Sequence, residues 1–231
     1  MAIIDAVERI RERIEEACIR SGRNCAEIQL MGVSKFQGIG NIEKAWHAGI
    51  RLFGESRVQE GVEKFIPFKR QHPETELHLI GSLQRNKVKA AVSLFEGIQS
   101  VDREALITEL GVWTTQRDKP LGILLEFHTG EETKSGFPDE EHLYRAAEKV
   151  LSYPGLVLRG LMTIAPYTDD RAQIRAAFRS LVSARDKLAS RFPSCDWSCL
   201  SMGMSQDFEI AIEEGSTLIR IGTALFGERD L

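Results

Sequence analysis

The stretch Leu200-Ser-Met-Gly-Met-Ser-Gln-Asp-Phe-Glu-Ile-Ala-Ile-Glu-Glu-Gly-Ser-Thr-Leu-Ile-Arg-Ile-Gly-Thr-Ala-Leu-Phe-Gly227 decides the fold. Its turn of small residues, Ser201 to Ser205, opens a helix, and Gly215 ends that helix. A short apolar run, Thr217 to Ile221, follows and stops at Gly222-Thr223. A helix between two short apolar runs is the repeat of a parallel sheet covered on both faces. Arg220 interrupts the second run. An arginine is rarely buried without a partner, so it requires an anion or hydrogen-bond acceptors beside it. Two strand ends rich in small residues, side by side, make an anion cradle from backbone N–H groups and hydroxyls.

The alternation continues back through the chain. Apolar runs fall at 29–33, 51–53, 77–80, 97–101, 121–127, 156–162, 199–201 and 218–221, with helical patterns between them. In Arg171 to Phe192, the residues Ile174, Ala177, Phe178, Leu181, Val182 and Leu188 share one face, with arginines and lysines opposite. Eight such units in 231 residues predict an α/β fold, a (β/α)8 TIM barrel. An open doubly wound sheet fits less well, because no Gly-x-Gly-x-x-Gly follows the first strand. Residues 3–21 form a further helix outside the repeat. With no low-complexity linker, residues 1–231 read as one domain.

Composition narrows the function classes. Thirty lysines and arginines against 34 acidic residues leave a net charge of -4, which gives no reason to expect nucleic acid or an anionic membrane surface. The basic run Gln84-Arg-Asn-Lys-Val-Lys89 reads as a solvated helix start rather than an RNA or protein patch. No apolar stretch approaches the roughly 20 residues that span a bilayer. Charges at Asp5, Glu8, Arg9, Arg11 and Glu12 exclude a signal-peptide core. The four cysteines form no C-x-x-C pair and read as reduced thiols of a cytoplasmic protein. The five histidines show no metal-ligand spacing, so no metal is expected.

In a barrel of this kind the site lies at the carboxyl ends of the strands. Strand one ends Val33-Ser34-Lys35, and the period of two puts Lys35 on one face with Val33 and Met31. A lysine at a strand end ordinarily snorkels to water; at a barrel mouth, desolvation or a neighbouring cation turns it into a nucleophilic amine. Barrels often bind phosphate at the loops after strands seven and eight, with a short extra helix. Here Ser201 ends strand seven, Gly222-Thr223 ends strand eight, and Ala224 to Gly227 supply the helix with Thr223 as its cap. Asp207 would repel an anion on the axis of the helix that follows it, which shifts the contact toward Gly222 and Thr223. A closed barrel sets strand one beside strand eight, bringing Lys35 to the cradle. A lysine next to a phosphate site fits pyridoxal 5'-phosphate, with the lysine forming a Schiff base. Arg220 falls between the two.

The chain resembles the pyridoxal phosphate homeostasis proteins, which share the barrel of the alanine racemase (fold type III) cofactor enzymes. The resemblance covers nearly the whole chain. It is carried by Val33-Ser-Lys35, Phe53-Gly-Glu-Ser-Arg-Val-Gln-Glu60, His78-Leu-Ile-Gly-Ser-Leu-Gln-Arg-Asn-Lys87, Ser100-Val-Asp102, Gly130-Glu-Glu-Thr-Lys-Ser-Gly136 and Gly160-Leu-Met162. Its strongest parts are Leu200-Ser-Met-Gly-Met-Ser205 and Arg220-Ile-Gly-Thr-Ala-Leu-Phe-Gly227. The resemblance implies Lys35 as the Schiff-base lysine, Ser201, Gly222 and Thr223 around the phosphate, and Arg220 facing the pyridine nitrogen. One departure stands out: the family usually reads Gly-Glu-Asn-Tyr where this chain has Gly54-Glu55-Ser56-Arg57.

An arginine at the pyridine nitrogen gives up no proton, so the ring stays a poor electron sink. Two-base racemisation also needs a second base, which racemases of this fold take from a tyrosine of a further β-rich domain, and this chain ends at Leu231. Of Tyr144, Tyr153 and Tyr167, only Tyr167 falls near the mouth. The reading is therefore a cofactor carrier without catalytic residues, monomeric, that passes pyridoxal phosphate to client enzymes. A weak amino-acid racemase is the alternative. Lys134 is the main competitor to Lys35 for the cofactor.

Overall fold

The β-branched and leucine-rich runs fold as strands because both of their faces find apolar cover, the inner face within the barrel and the outer face under helices. The computed structural model describes residues 2–115, 117–130 and 135–227. Its strands are β1 (Gln29–Val33), β2 (Leu52–Glu55), β3 (Glu76–Leu79), β4 (Gly97–Val101), β5 (Leu121–Glu126), β6 (Leu156–Met162), β7 (Cys199–Ser201) and β8 (Leu218–Ile221). They pair in parallel, each with its sequence neighbours, and β1 pairs with β8 to close the barrel. The predicted (β/α)8 fold is the observed one. β2 starts one residue later than the apolar run and continues through Gly54 to Glu55.

The helices are α1 (Ile3–Ser21), α2 (Ile39–His47), α3 (Val58–Gln71), α4 (Val88–Leu94), α5 (Glu104–Thr114), α6 (Glu140–Leu151), α7 (Arg171–Arg191), α8 (Phe208–Glu213) and α9 (Thr223–Phe226). On α7 the predicted stripe is the buried one, with Val182 half-buried and Ala184 added. Asp170 caps α7 by accepting from Ala172 N and Gln173 N. α9 is a single turn, one residue earlier than predicted, and Gly222 rather than Thr223 is its N-cap. A four-residue helix cannot cover the outer face of β8. α1 fills that place: it packs on α8, α9 and α2 and buries Ala6, Val7, Ile10, Ile14, Ala17 and Cys18 on one stripe. Arg13–Glu209 and Arg20–Glu213 pairs flank this contact.

The core divides at the sheet. Outward side chains such as Phe53, Ile98, Ile123, Ile219 and Ile221 join the helix stripes in one continuous cluster. Phe53 meets Phe65 and Phe68 of α3 at ring separations of 5.6 and 6.3 Å. Each such fully buried side chain contributes about 1.5–3 kcal/mol. Inside the barrel, Met31, Leu52 and Leu218 form a separate small cluster. Above and around it the lumen is polar, occupied by Gln99, Ser201 and Arg220, all buried. Gly160 permits the β6–β7 contact: its φ is +143°, and a Cβ there would lie 1.9 Å from the Cys199 carbonyl oxygen. Among the described residues no helix is long and apolar enough to cross a membrane.

Candidate functional site

Strand register places the predicted residues. Met31 pairs with Arg220 and Gly32 with Ile221. Continuing the register brings Gly222 beside Val33, where a Cβ on Gly222 would meet Val33 Cβ at 3.6 Å. Leu218 faces the lumen, so Arg220, two residues on, does too. Met31 also faces the lumen; β1 ends at Val33, and Lys35 lies two residues beyond it, in the turn that leaves the strand. Lys35 is half-buried.

The turn that carries Lys35 is braced on its outer side. Ser34 is fully buried and its Oγ donates to Glu55 Oε1 at 2.7 Å. Lys64 of α3 donates to Ser34 O at 2.8 Å, Glu55 Oε1 at 3.0 Å and Glu60 Oε1 at 2.5 Å. Glu60 Oε1 accepts in turn from Phe36 N at 2.6 Å. Phe36 adopts φ +63°, a left-handed conformation that a bulky residue holds only when its neighbours fix it. Burial pushes the Glu55 carboxyl above its ordinary range, against the bonds from Ser34 and Lys64. Ser56 and Arg57 follow at the end of β2, and the Arg57 guanidinium lies 5.5 Å from the Phe36 ring.

Arg220 is buried in the lumen. Its Nη1 donates to Ser201 O and Ser201 Oγ, both at 2.7 Å, and its Nη2 to Thr163 O at 2.9 Å. These bonds use three of five guanidinium N–H groups. Burial pushes the guanidinium down to about 10, opposed by the charges of Asp207 and Glu126, so it remains a cation at neutral pH. Ser201 is expected at the phosphate, but its Oγ is engaged deep in the barrel, between Arg220 and Gln99 Oε1 at 2.6 Å. The serine that reaches the β8–α9 turn is Ser205, whose Oγ accepts from Ala224 N at 3.2 Å. Asp207 turns back on its own loop, accepting from Met204 N at 2.6 Å. Thr223 is exposed beside Gly222.

Other polar groups escaped the sequence reading. Glu126, at the end of β5, is buried and accepts from Ser135 Oγ at 2.7 Å. Burial raises its carboxyl above the ordinary range, with Ser135 and Arg220 opposing. His78 and Gln99 also project into the lumen. Each interrupts an apolar strand run at an inward position, as Arg220 does, and that interruption is the signal by which they could have been found. Tyr167 stands 81% exposed, Tyr153 packs over Gly111 and Tyr144 lies under Arg191. Lys134 lies outside the described residues. All four cysteines are free thiols, and among the described residues no cluster of three metal-ligating side chains occurs.

A lysine at the end of β1, a lumen arginine on β8 and a small-residue turn after it, on a closed eight-stranded barrel, define a class: the family described as alanine racemase, N-terminal domain, matches residues 7–230. Within that class the chain belongs to the pyridoxal phosphate homeostasis protein family. It is 41% identical over 227 residues to the pyridoxal phosphate homeostasis protein of Vibrio cholerae, covering 97% of this chain and 95% of that protein. It is 40% identical over 224 residues to that of Escherichia coli K12, covering 96% and 94%. Among solved structures, an unknown protein from Bifidobacterium adolescentis superposes with a TM-score of 0.90 at 36% identity, covering 97% of this chain and 94% of that one. PipY of Synechococcus elongatus with pyridoxal phosphate bound superposes at 0.83 with 34% identity, covering 94% and 100%. An alanine racemase of Clostridium difficile, at 14% identity and a TM-score of 0.76 over 98% of this chain and 58% of that one, shares the fold alone.

Proposed function

We propose that this protein binds pyridoxal 5'-phosphate at the carboxyl end of the barrel, with Lys35 as the Schiff-base lysine, and takes part in intracellular homeostasis of the cofactor without turnover. The observation that carries the reading is register: the pairing of Met31 with Arg220 and of Gly32 with Ile221 sets the end of β1, which leads into Lys35, beside the end of β8. The residues fit the group. Lys35 supplies the amine, Arg220 keeps two N–H groups beyond those given to Ser201 and Thr163, and the Gly222–Thr223 turn with Ser205 Oγ supplies small residues and hydroxyls for a phosphate. Ser205 takes the place expected for Ser201. A relative of 34% identity whose structure holds pyridoxal phosphate supports the choice of cofactor.

The bound cofactor supplies an aldehyde that condenses with an amine and a ring that draws electrons when its nitrogen is protonated. Arg220 works against the second property. It donates only, so it holds the ring nitrogen as an acceptor and brings no proton to it. The Ser34–Glu55–Lys64–Glu60 brace holds the Lys35 turn in place. Tyr153 and Tyr144 are engaged against Gly111 and Arg191, and Tyr167 stands out in solvent, so none is held as a second base. Holding the cofactor exchangeably at an open mouth, in the cytoplasm, and releasing it to client enzymes completes the reading.

The test is borohydride reduction after incubation with pyridoxal phosphate, followed by mass spectrometry. One adduct on Lys35, and loss of the visible band in Lys35→Ala, is the expected result. No band in the wild-type protein, or an adduct on Lys134 instead, overturns it. Sustained racemisation of a single-enantiomer amino acid, followed by optical rotation, overturns the non-catalytic part.

A further inference from the structure

The lumen contains a line of hydrogen bonds that runs from Arg220 away from the proposed site. Arg220 Nη1 donates to Ser201 Oγ at 2.7 Å, and Ser201 Oγ donates to Gln99 Oε1 at 2.6 Å. Gln99 Nε2 lies 2.9 Å from His78 Nδ1, and His78 Nε2 lies 2.9 Å from Glu76 Oε1. The line crosses the barrel from β8 through β7 and β4 to β3. It begins among buried groups, Ser201 and Gln99 being wholly enclosed, and ends at exposed Glu76. That end borders a cavity of about 310 Å³ at the amino-terminal mouth, where Glu96, Arg159, Asp196 and Cys199 also stand. Gly97 makes room for the imidazole: a Cβ there would lie 2.6 Å from His78 Nε2.

The two ends fix every hydrogen between them. A guanidinium only donates and a carboxylate only accepts. The bond from His78 holds the Glu76 carboxyl below its usual range, so it is ionised at neutral pH. Ser201 Oγ accepts from Arg220 and must donate onward, which turns the Gln99 amide oxygen toward it. The Gln99 amide N–H then points at His78 Nδ1, which must accept. His78 Nε2 carries the remaining hydrogen, toward Glu76. The line has no place for a hydrogen on His78 Nδ1.

We infer that Gln99 and His78 are positioning residues for Arg220: through Ser201 they orient the guanidinium toward the upper mouth, and in doing so they fix His78 as its neutral Nε2–H tautomer. The effect on a bound ring rests on the proposed function; the tautomer does not.

The experiment has two arms. Long-range nitrogen–proton NMR of the ligand-free protein at pH 7 reads the two His78 nitrogens directly. The wild-type protein shows hydrogen on Nε2 alone. In Gln99→Glu the introduced carboxylate accepts from Ser201 and offers no donor, so His78 carries hydrogen on both nitrogens. A wild-type Nδ1–H, or a pattern unchanged in Gln99→Glu, overturns the inference. In the second arm, pyridoxal phosphate is titrated into wild type and Gln99→Leu, following the visible band and its pH profile. Gln99→Leu is expected to weaken binding about tenfold, which equals about 1.4 kcal/mol, and to move the band or its pH midpoint, while the borohydride adduct stays on Lys35. An unaltered band, pH profile and affinity in Gln99→Leu overturns the positioning role. Absence of any band in the wild type overturns the proposed function instead, and leaves the NMR result to decide the tautomer.

Discussion

Met31 and Arg220 stand opposite each other where the first strand closes on the last. From that one pair the rest of the mouth follows by counting along the strands. Gly222 lies two residues beyond Arg220, and Lys35 two beyond the end of β1. The arginine is buried in the lumen and the lysine half-buried in the turn above it.

Arg220 is the only donor given to Ser201 O and Thr163 O by a side chain among the described residues. Arg220→Met removes the buried cation and leaves Thr163 O without its donor, at about 1–3 kcal/mol for a buried group left unsatisfied, while Ser201 O keeps its bond from Thr163 N at 3.1 Å. Urea unfolding of the ligand-free protein measures it. A variant as stable as wild type contradicts the bonding described.

Lys64→Met strips Ser34 O, Glu55 and Glu60 of their shared donor, leaving Glu55 with only Ser34. The expected loss is a few kcal/mol, with a weakened pyridoxal phosphate affinity because the Lys35 turn loosens. Adding Glu55→Gln to Lys64→Met recovers part of that stability, since a neutral amide needs no cation. Thermal unfolding of the two single variants and the double variant forms the cycle; strict additivity refutes the coupling.

Glu126 gives a pH dependence with a definite sign. Its carboxyl is raised in the folded state by burial. The stability it contributes is therefore fully present below the ordinary glutamate value near 4.3 and is lost as pH rises through the raised folded value. Glu126→Gln stays neutral throughout, so it melts above wild type at pH 7.5 and near it at pH 4. Melting curves at the two pH values check this, and an equal difference at both refutes it.

Ser205 and Ser201 separate by ligand. Ser205→Ala is expected to weaken pyridoxal phosphate binding about tenfold, the scale of one hydrogen bond to a charged group, and to leave phosphate-free pyridoxal unaffected. Ser201→Ala acts on both ligands alike, because Ser201 touches Arg220 and not the phosphate turn. Fluorescence titration with each ligand distinguishes them; the opposite pattern restores Ser201 to the phosphate.

The barrel was legible because its strands are buried on both faces, so each reads as an apolar run whatever its partner. The count of eight then implied closure, and closure set β1 beside β8. The sequence was less legible where local chemistry has two solutions. Ser201 and Ser205 are both small hydroxyl residues of one loop, and only the inward pointing of Ser201 from β7 separates them. Thr223 is a good capping residue by type, yet Gly222 holds the N-cap because the strand ends one residue before it. Gln99 and His78 were unreadable as a pair, since they meet only once β3 and β4 are in register.

The helix α1 covers the outer face of the β1–β8 seam, where the single turn of α9 cannot. Its partners α8 and α9 come far later in the chain, at Phe208–Glu213 and Thr223–Phe226. At about 5–20 residues per second, the first helix and the strand before Lys35 wait on the ribosome without that cover until those two helices emerge. The first element to be made is thus among the last to be seated, and the seam it covers is the one that closes the barrel.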